Sequence, residues 1–235
     1  MRIDRKLHLV VPIYADEEVQ KTGIDGNPLF DDGEPVMHLP IMAHVHSTPI
    51  SEETVDRYFM VLGQTYAAIF SQGFGLAGGP GIAMRMLRRI AKQNGVWNDN
   101  PKTGEVGVEN GLVAEMRRLT MVDAIVGGKW QDLPLDVAVA QGTISKEDET
   151  EVENALAFFT AAYATLGRSQ RAGMLRAGAE IWGAQITSSS FTESKVSWRT
   201  SIETASSGAK PPVAANDAPA PANATVAGKR QSVPH

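Results

Sequence analysis

The chain is expected to be mainly α within an α+β class: a small N-terminal β-ribbon packed on a helical bundle, followed by a disordered C-terminal tail. Three observations carry this expectation. Apolar residues recur with a period of two before His46, with a period of about 3.6 from Ser51 onward, and without a period beyond Thr187. These changes divide the chain into a ribbon with a long acidic loop at 1–46, a bundle at 47–186 and a Ser/Thr- then Ala/Pro-rich tail at 187–235.

The first strand is read from Leu7, Leu9, Val11 and Ile13, and the second from Met37, Leu39, Ile41, Ala43 and Val45. Between them, ADEEVQKTGIDGNPLFDDGEP is rich in acids, glycine and proline and reads as a long exposed connection. The helical region opens at Ser51, a capping residue followed by Glu52 and Glu53 at the positive end of a helix dipole. Val55, Phe59, Leu62, Tyr66 and Ile69 then form one apolar stripe.

Gly73, Gly75 and Gly78 have the G-x-G-x-x-G spacing of a dinucleotide loop. A dinucleotide loop needs a buried strand before it and an acid for the ribose about twenty residues after it. Here a helix precedes the glycines, and the acid would be Asp99, in the polar loop NGVWNDNPKTGEVG. The glycines therefore read as a hinge, with Gly73 as a left-handed cap and Gly79-Pro80 opening the next helix. No cofactor is expected.

That next helix carries Arg85, Arg88, Arg89 and Lys92, a stripe read as a solvated face with some capacity to meet acids of a partner. Without interleaved aromatics it does not suggest nucleic-acid stacking. A third helix is expected over NGLVAEMRRLTMV, with Leu112, Met116 and Leu119 on one side, ending before Gly127-Gly128. The strongest helical signal follows: Ser145 with Asp148 as a capping box, then Val152, Leu156, Phe159, Tyr163 and Leu166 as a stripe that Gly167 ends. A last helix is placed at GMLRAGAEIWGAQI, with Leu175, Gly178 and Trp182 on one face.

Length and composition narrow the function. A chain of 235 residues with 43% hydrophobic and 21% charged residues can build one or two domains with a real core. A net charge of −5 argues against general attraction to nucleic acid or anionic membrane. The lack of cysteine excludes disulfides, thiolate nucleophiles and cysteine-ligated metal. No apolar run is long enough to span a bilayer, and His8 and Pro12 interrupt the apolar run near the N-terminus, unlike a signal peptide. A soluble, intracellular protein is expected.

Candidate chemistry is sparse. His38, His44 and His46 share one strand face with His8 beside them, which makes a metal cluster geometrically possible. The competing reading is the polar face of a ribbon whose other face packs on the helices, and no metal is expected. The acidic run Glu147, Asp148, Glu149, Glu151 and Glu153 is explained by its place at a helix start. Trp97, Trp130 and Trp182 are read as core residues, and no catalytic residue is identified. In the tail, Phe191 and Trp198 stand among serines and threonines, where a mere spacer has no use for them; they are read as partner-binding residues.

The segments MRIDRKLHLVVPI, HVHSTPISEETVDRYF, VENGLVAEMRRLT, EVENALAFFTAA and WGAQITSSSFTES together resemble the tail assembly chaperones of long-tailed bacteriophages, over nearly the whole chain to about Ser207. The resemblance implies a non-enzymatic role in the host cytoplasm: binding the tape-measure protein, recruiting tail tube subunits, and leaving before the virion is finished. It also implies a longer, frameshifted form as a possible partner, with a junction suited to the composition change near Gly208. The acidic insertion between the strands and the extension to His235 depart from the simplest pattern of that family. The rival expectation is a structural component of the tail or head-tail connector.

Overall fold

The computed structural model describes residues 7–23 and 26–207. In chain order these form β1 (His8–Tyr14), β2 (Val19–Gln20), β3 (Phe30–Asp31), β4 (Glu34–Pro35), β5 (Met37–His38), β6 (Ile41–Ser47), α1 (Glu52–Ser71) and α2 (Gly75–Gln93). A π-helical turn (Glu109–Val113) then leads into α3 (Ala114–Arg118), β7 (Thr120–Val126), β8 (Lys129–Pro134), α4 (Leu135–Ala140), α5 (Lys146–Thr165), α6 (Arg168–Ile181), β9 (Gln185–Thr187) and α7 (Phe191–Ser207). The result is a mixed α+β fold around one antiparallel sheet of five strands, ordered β8-β7-β6-β1-β9.

The expected ribbon is therefore the centre of a larger sheet. The third helix ends at Arg118, earlier than its apolar stripe suggested, because the next residues alternate. Val122 and Ala124 face the core while Asp123 points to the opposite side. Gly127 and Gly128 take φ of 59° and 77°, as a two-residue turn with the twist of a hairpin requires, and Val126 pairs with Lys129 across it. Those glycines are a hairpin tip and not a helix stop. Likewise α6 stops at Ile181, and Ile186, assigned to that helix by sequence, pairs with Leu9 at the sheet edge.

One sheet face presents Leu9, Ile13, Val45, Ala43, Val122, Ala124 and Leu133 to the apolar core, which α1, α2 and α5 share. α5 is the central helix: its residues 154–162 are buried on every side. Its capping box forms as expected, with the Asp148 amide donating to Ser145 Oγ at 3.0 Å and the Ser145 amide to Asp148 Oδ2 at 3.1 Å. Ser51 likewise caps α1, accepting from the Thr54 amide. Phe59 departs from the expected stripe and stands 47% exposed, because Tyr58 and Leu62 take the inward positions.

The glycine hinge is a Schellman close. Gly73, at φ 82°, donates to the Phe70 carbonyl, and the Phe74 amide donates to the Ile69 carbonyl. α2 starts at Gly75, so Pro80 lies inside the helix and not at its opening. A proline has no N–H to give the carbonyl four residues back. That carbonyl, of Leu76, instead accepts the Trp182 indole N–H at 2.8 Å, which ties α6 to α2. Gly79 lets α2 approach α5 and α1: a Cβ there would lie 2.5 Å from Phe158 Cε2 and 2.9 Å from Ile69 Cγ2. Gly79→Val is expected to destabilise by about 1–3 kcal/mol through overpacking, read as a lower denaturant midpoint at unchanged slope.

Candidate functional site

The sheet face turned away from the core is polar, and α7 lies across it. Strand alternation puts His8 and Val10 of β1, His44 and His46 of β6, Asp123 of β7, and Trp130 and Asp132 of β8 on this side. Thr187 to Ser207, expected to be disordered, instead completes β9 and forms α7; the Ala/Pro-rich remainder of the tail lies outside the described residues. The start of α7 is a second capping box, in which the Ser190 amide and hydroxyl both donate to Glu193 Oε2, at 2.7 and 3.0 Å. These bonds hold the Glu193 carboxyl below its ordinary range.

Phe191 and Trp198 face the sheet. Trp198 stacks on His44 with centroids 4.3 Å apart and planes at 9°, and Phe191 meets His46 edge-on at 5.6 Å. Their neighbours Lys195 and Arg199, at helical spacing, reach the acids below. Arg199 Nε donates to Asp123 Oδ2 at 3.2 Å, its Nη2 to Asp132 Oδ1 at 2.8 Å, and Lys195 pairs with Asp132. Asp123 is fully buried, and His46 is 1% exposed. Trp130, read as a core residue, lies on this face, 6.5 Å from His44 and under the Arg199 guanidinium.

Burial pushes the His44 imidazole below its ordinary pKa against the opposing pull of Asp123. Burial lowers His46 too, against a hydrogen bond its Nε2 donates to the Ser189 carbonyl at 3.2 Å. His38 does not join them; it sits exposed on β5, bonded to the Val19 carbonyl. Among the described residues, no group of three or more His, Cys, Asp or Glu side chains is placed to hold a metal ion.

Arg85, Arg88, Arg89 and Lys92 are exposed on α2, in the helical layer on the far side of the sheet from α7. The two sets of residues proposed for a partner are thus not brought together. Arg88 lies over the buried Trp97 ring at 5.1 Å. Asp99, the acid at the ribose position of the dinucleotide spacing, accepts from the Gly107 amide at 2.7 Å and from Asn110 Nδ2 at 2.9 Å, which closes its own loop and lowers its carboxyl pKa. Gly107 leaves no room there, since a Cβ would approach the Asn98 carbonyl carbon to 2.4 Å. Along the acidic run, Glu149 and Glu153 pair with Arg117 across to α3, a structural use.

A dense exposed apolar surface lies where the sequence was read as a long exposed connection at 15–35 running into the second strand at Met37, Leu39 and Ile41. At a bulge beside Tyr14 the β1–β6 pair continues outward as an arm described over residues 14–23 and 26–42. It is stitched by Ala15 to Pro40 and Lys21 to Val36 backbone bonds and tipped by Asp32-Gly33, whose φ values of 48° and 86° suit a tight hairpin turn. Eight large apolar side chains on it are exposed: Tyr14, Val19, Leu29, Phe30 (60%), Met37, Leu39, Ile41 and Met42. The same arm holds seven acids and one lysine, in a chain whose net charge is −5. The sequence signal was the turn dipeptide Asp32-Gly33 between the apolar pairs Leu29-Phe30 and Val36-Met37.

No family model, curated protein or solved structure matches the chain. Among the described residues, no helix is long and apolar enough to cross a membrane.

Proposed function

We propose that the protein is a non-enzymatic tail assembly chaperone of a long-tailed bacteriophage, holding the tape-measure protein in the host cytoplasm and helping to recruit tail tube subunits. The observation that supports this reading is the arm. Eight exposed apolar side chains on the described part of one arm are a far denser display than scattered surface residues, and a soluble monomer gains nothing from it. Sticky apolar contacts flanked by acids suit capture of an amphipathic client with cationic flanks, since like charge keeps the arms themselves apart. Arg85, Arg88, Arg89 and Lys92 are exposed on α2, where they suit client acids, Arg88 while lying over the Trp97 ring. Phe191 and Trp198, by contrast, are engaged at home while α7 is docked.

The test is co-expression of the full chain with its tape-measure protein. Phe30→Ser with Met37→Ser and Leu39→Ser alters only exposed positions, so circular dichroism and melting should stay as in the wild type. Soluble tape-measure protein is expected to fall at least about fivefold, the effect of losing one anchor of ~1 kcal/mol. Undiminished solubility would remove the arm from the account. The arm also suits a rival reading, because a projecting hairpin can add strands to a neighbour's sheet in a finished ring. A structural component would be found at fixed stoichiometry by mass spectrometry of purified virions; the chaperone is expected to be missing from them.

A further inference from the structure

We propose that α7 is a strap over the histidine-bearing sheet face, and that protonation of His46 releases it, freeing Phe191 and Trp198, while the core stays folded.

The strap is weakly built, and its described residues stay out of the apolar core. Eight of its seventeen residues are serine or threonine, poor helix formers, so α7 depends on docking more than on its own propensity. None of its described residues belongs to the apolar core, and within 191–199 only Ser194 is buried. Among its described side chains, the rings of Phe191 and Trp198 and the charges of Lys195 and Arg199 fasten it to the sheet. Losing those contacts opens one face of the sheet without entering the layer between sheet and helices.

His46 sits where a proton does most harm. Its ring lies 4.8 Å from His8, 5.6 Å from Phe191 and 6.4 Å from Trp198, under α7 and almost sealed from water. The charged groups facing this site are Lys195, Arg199 and Glu193 from α7, Asp123 from β7 and Asp132 from β8, with His8 on β1 and His44 on β6. Both aspartates already serve α7: Asp123 holds Arg199, and Asp132 holds Arg199 and Lys195. Glu193 is turned to its own capping box and toward His8. A cation at His46 would therefore be added to a face that already carries two, without a carboxylate of its own. His44 differs, because Asp123 and the face of Trp198 both favour its charged form.

The sign follows from burial. A histidine whose pKa is lowered when α7 is docked binds its proton only after release. Docking is thus fully held above the ordinary value of 6.5 and weakens as pH falls from there toward the lowered value, by at most about tenfold per pH unit for each proton taken up. Release driven by carboxylates would instead come at about pH 4 or below.

Hydrogen exchange of the full chain from pH 7.5 to 4.5, corrected for intrinsic rates, tests this without any variant. Protection of 191–199 is expected to fall at least about tenfold by pH 5 while α5 keeps its own, with Trp198 emission shifting in step. In His46→Gln, which can still donate to Ser189, the transition should move down by a pH unit or more, whereas His44→Gln should move it less. Unchanged protection of α7 at pH 5, simultaneous loss from α5, or the same transition in His46→Gln would each overturn the proposal.

Discussion

Replacing Phe159 with aspartate is expected to abolish the native state. Phe159 is 1% exposed on α5, the helix that α1 and α2 both pack against, and its ring is 6.0 Å from that of Tyr163. Truncating such a phenylalanine costs about 3–5 kcal/mol. A carboxylate in its place adds a buried group with no donor, a further penalty of several kcal/mol unless it takes up a proton. Together these approach the whole stability of a typical domain, about 5–15 kcal/mol. The far-UV signal at 25 °C should be that of an unfolded chain. A variant that melts within a few degrees of the wild type would mean that α5 is not the centre of the core.

That result would test what the sequence makes most legible. In α1 and α5, cap, first-turn acids and apolar stripe all point the same way, and both helices form where they were expected. The β1–β6 pairing and the hinge at Gly73 were legible for the same reason. The β7–β8 hairpin was not, because Leu112, Met116 and Leu119 set up a helical stripe that hides the onset of alternation at Thr120. The outer part of the arm was read as an exposed connection because seven acids and two prolines stand against five apolar residues in 15–35, while Met37, Leu39 and Ile41 were already read as strand. α7 has the composition of a spacer; only the Ser190–Glu193 box and the spacing of Phe191, Lys195, Trp198 and Arg199 mark it as a helix with one working face.

The candidate site was half legible. Phe191 and Trp198 were singled out as residues for a partner, but sequence could not say that their surroundings are His44 and His46 of the same chain. The histidines were seen as one polar sheet face, with nothing to indicate that it is covered. A buried polar face fixes one arrangement of its cover more sharply than an oily one does, because each unmatched group is costly. That is how a helix with so little apolar area can still have a defined seat.

Arg199→Met should therefore have a large effect in an unusual place. The substitution keeps an apolar stem and removes the guanidinium, leaving the fully buried Asp123 carboxylate without its hydrogen-bonded cation. Stranding a buried charge in this way costs about 3–5 kcal/mol if the structure around it cannot respond. Here it can respond: lifting α7 lets water reach Asp123 without opening the core. The penalty is capped at whatever docking contributes, so the loss should appear as local release. Hydrogen exchange at pH 7.5 should show protection of 191–199 reduced by about a hundredfold, the equivalent of ~2.7 kcal/mol, with α5 unaffected and melting lowered by only a few degrees. Adding Asp123→Asn to Arg199→Met removes the stranded charge and should restore part of the protection, a coupling expected only if the two side chains act as a pair. If instead Arg199→Met exposes α5 and α7 together, α7 is a permanent part of the cooperative fold, and the polar face beneath it was never meant to open.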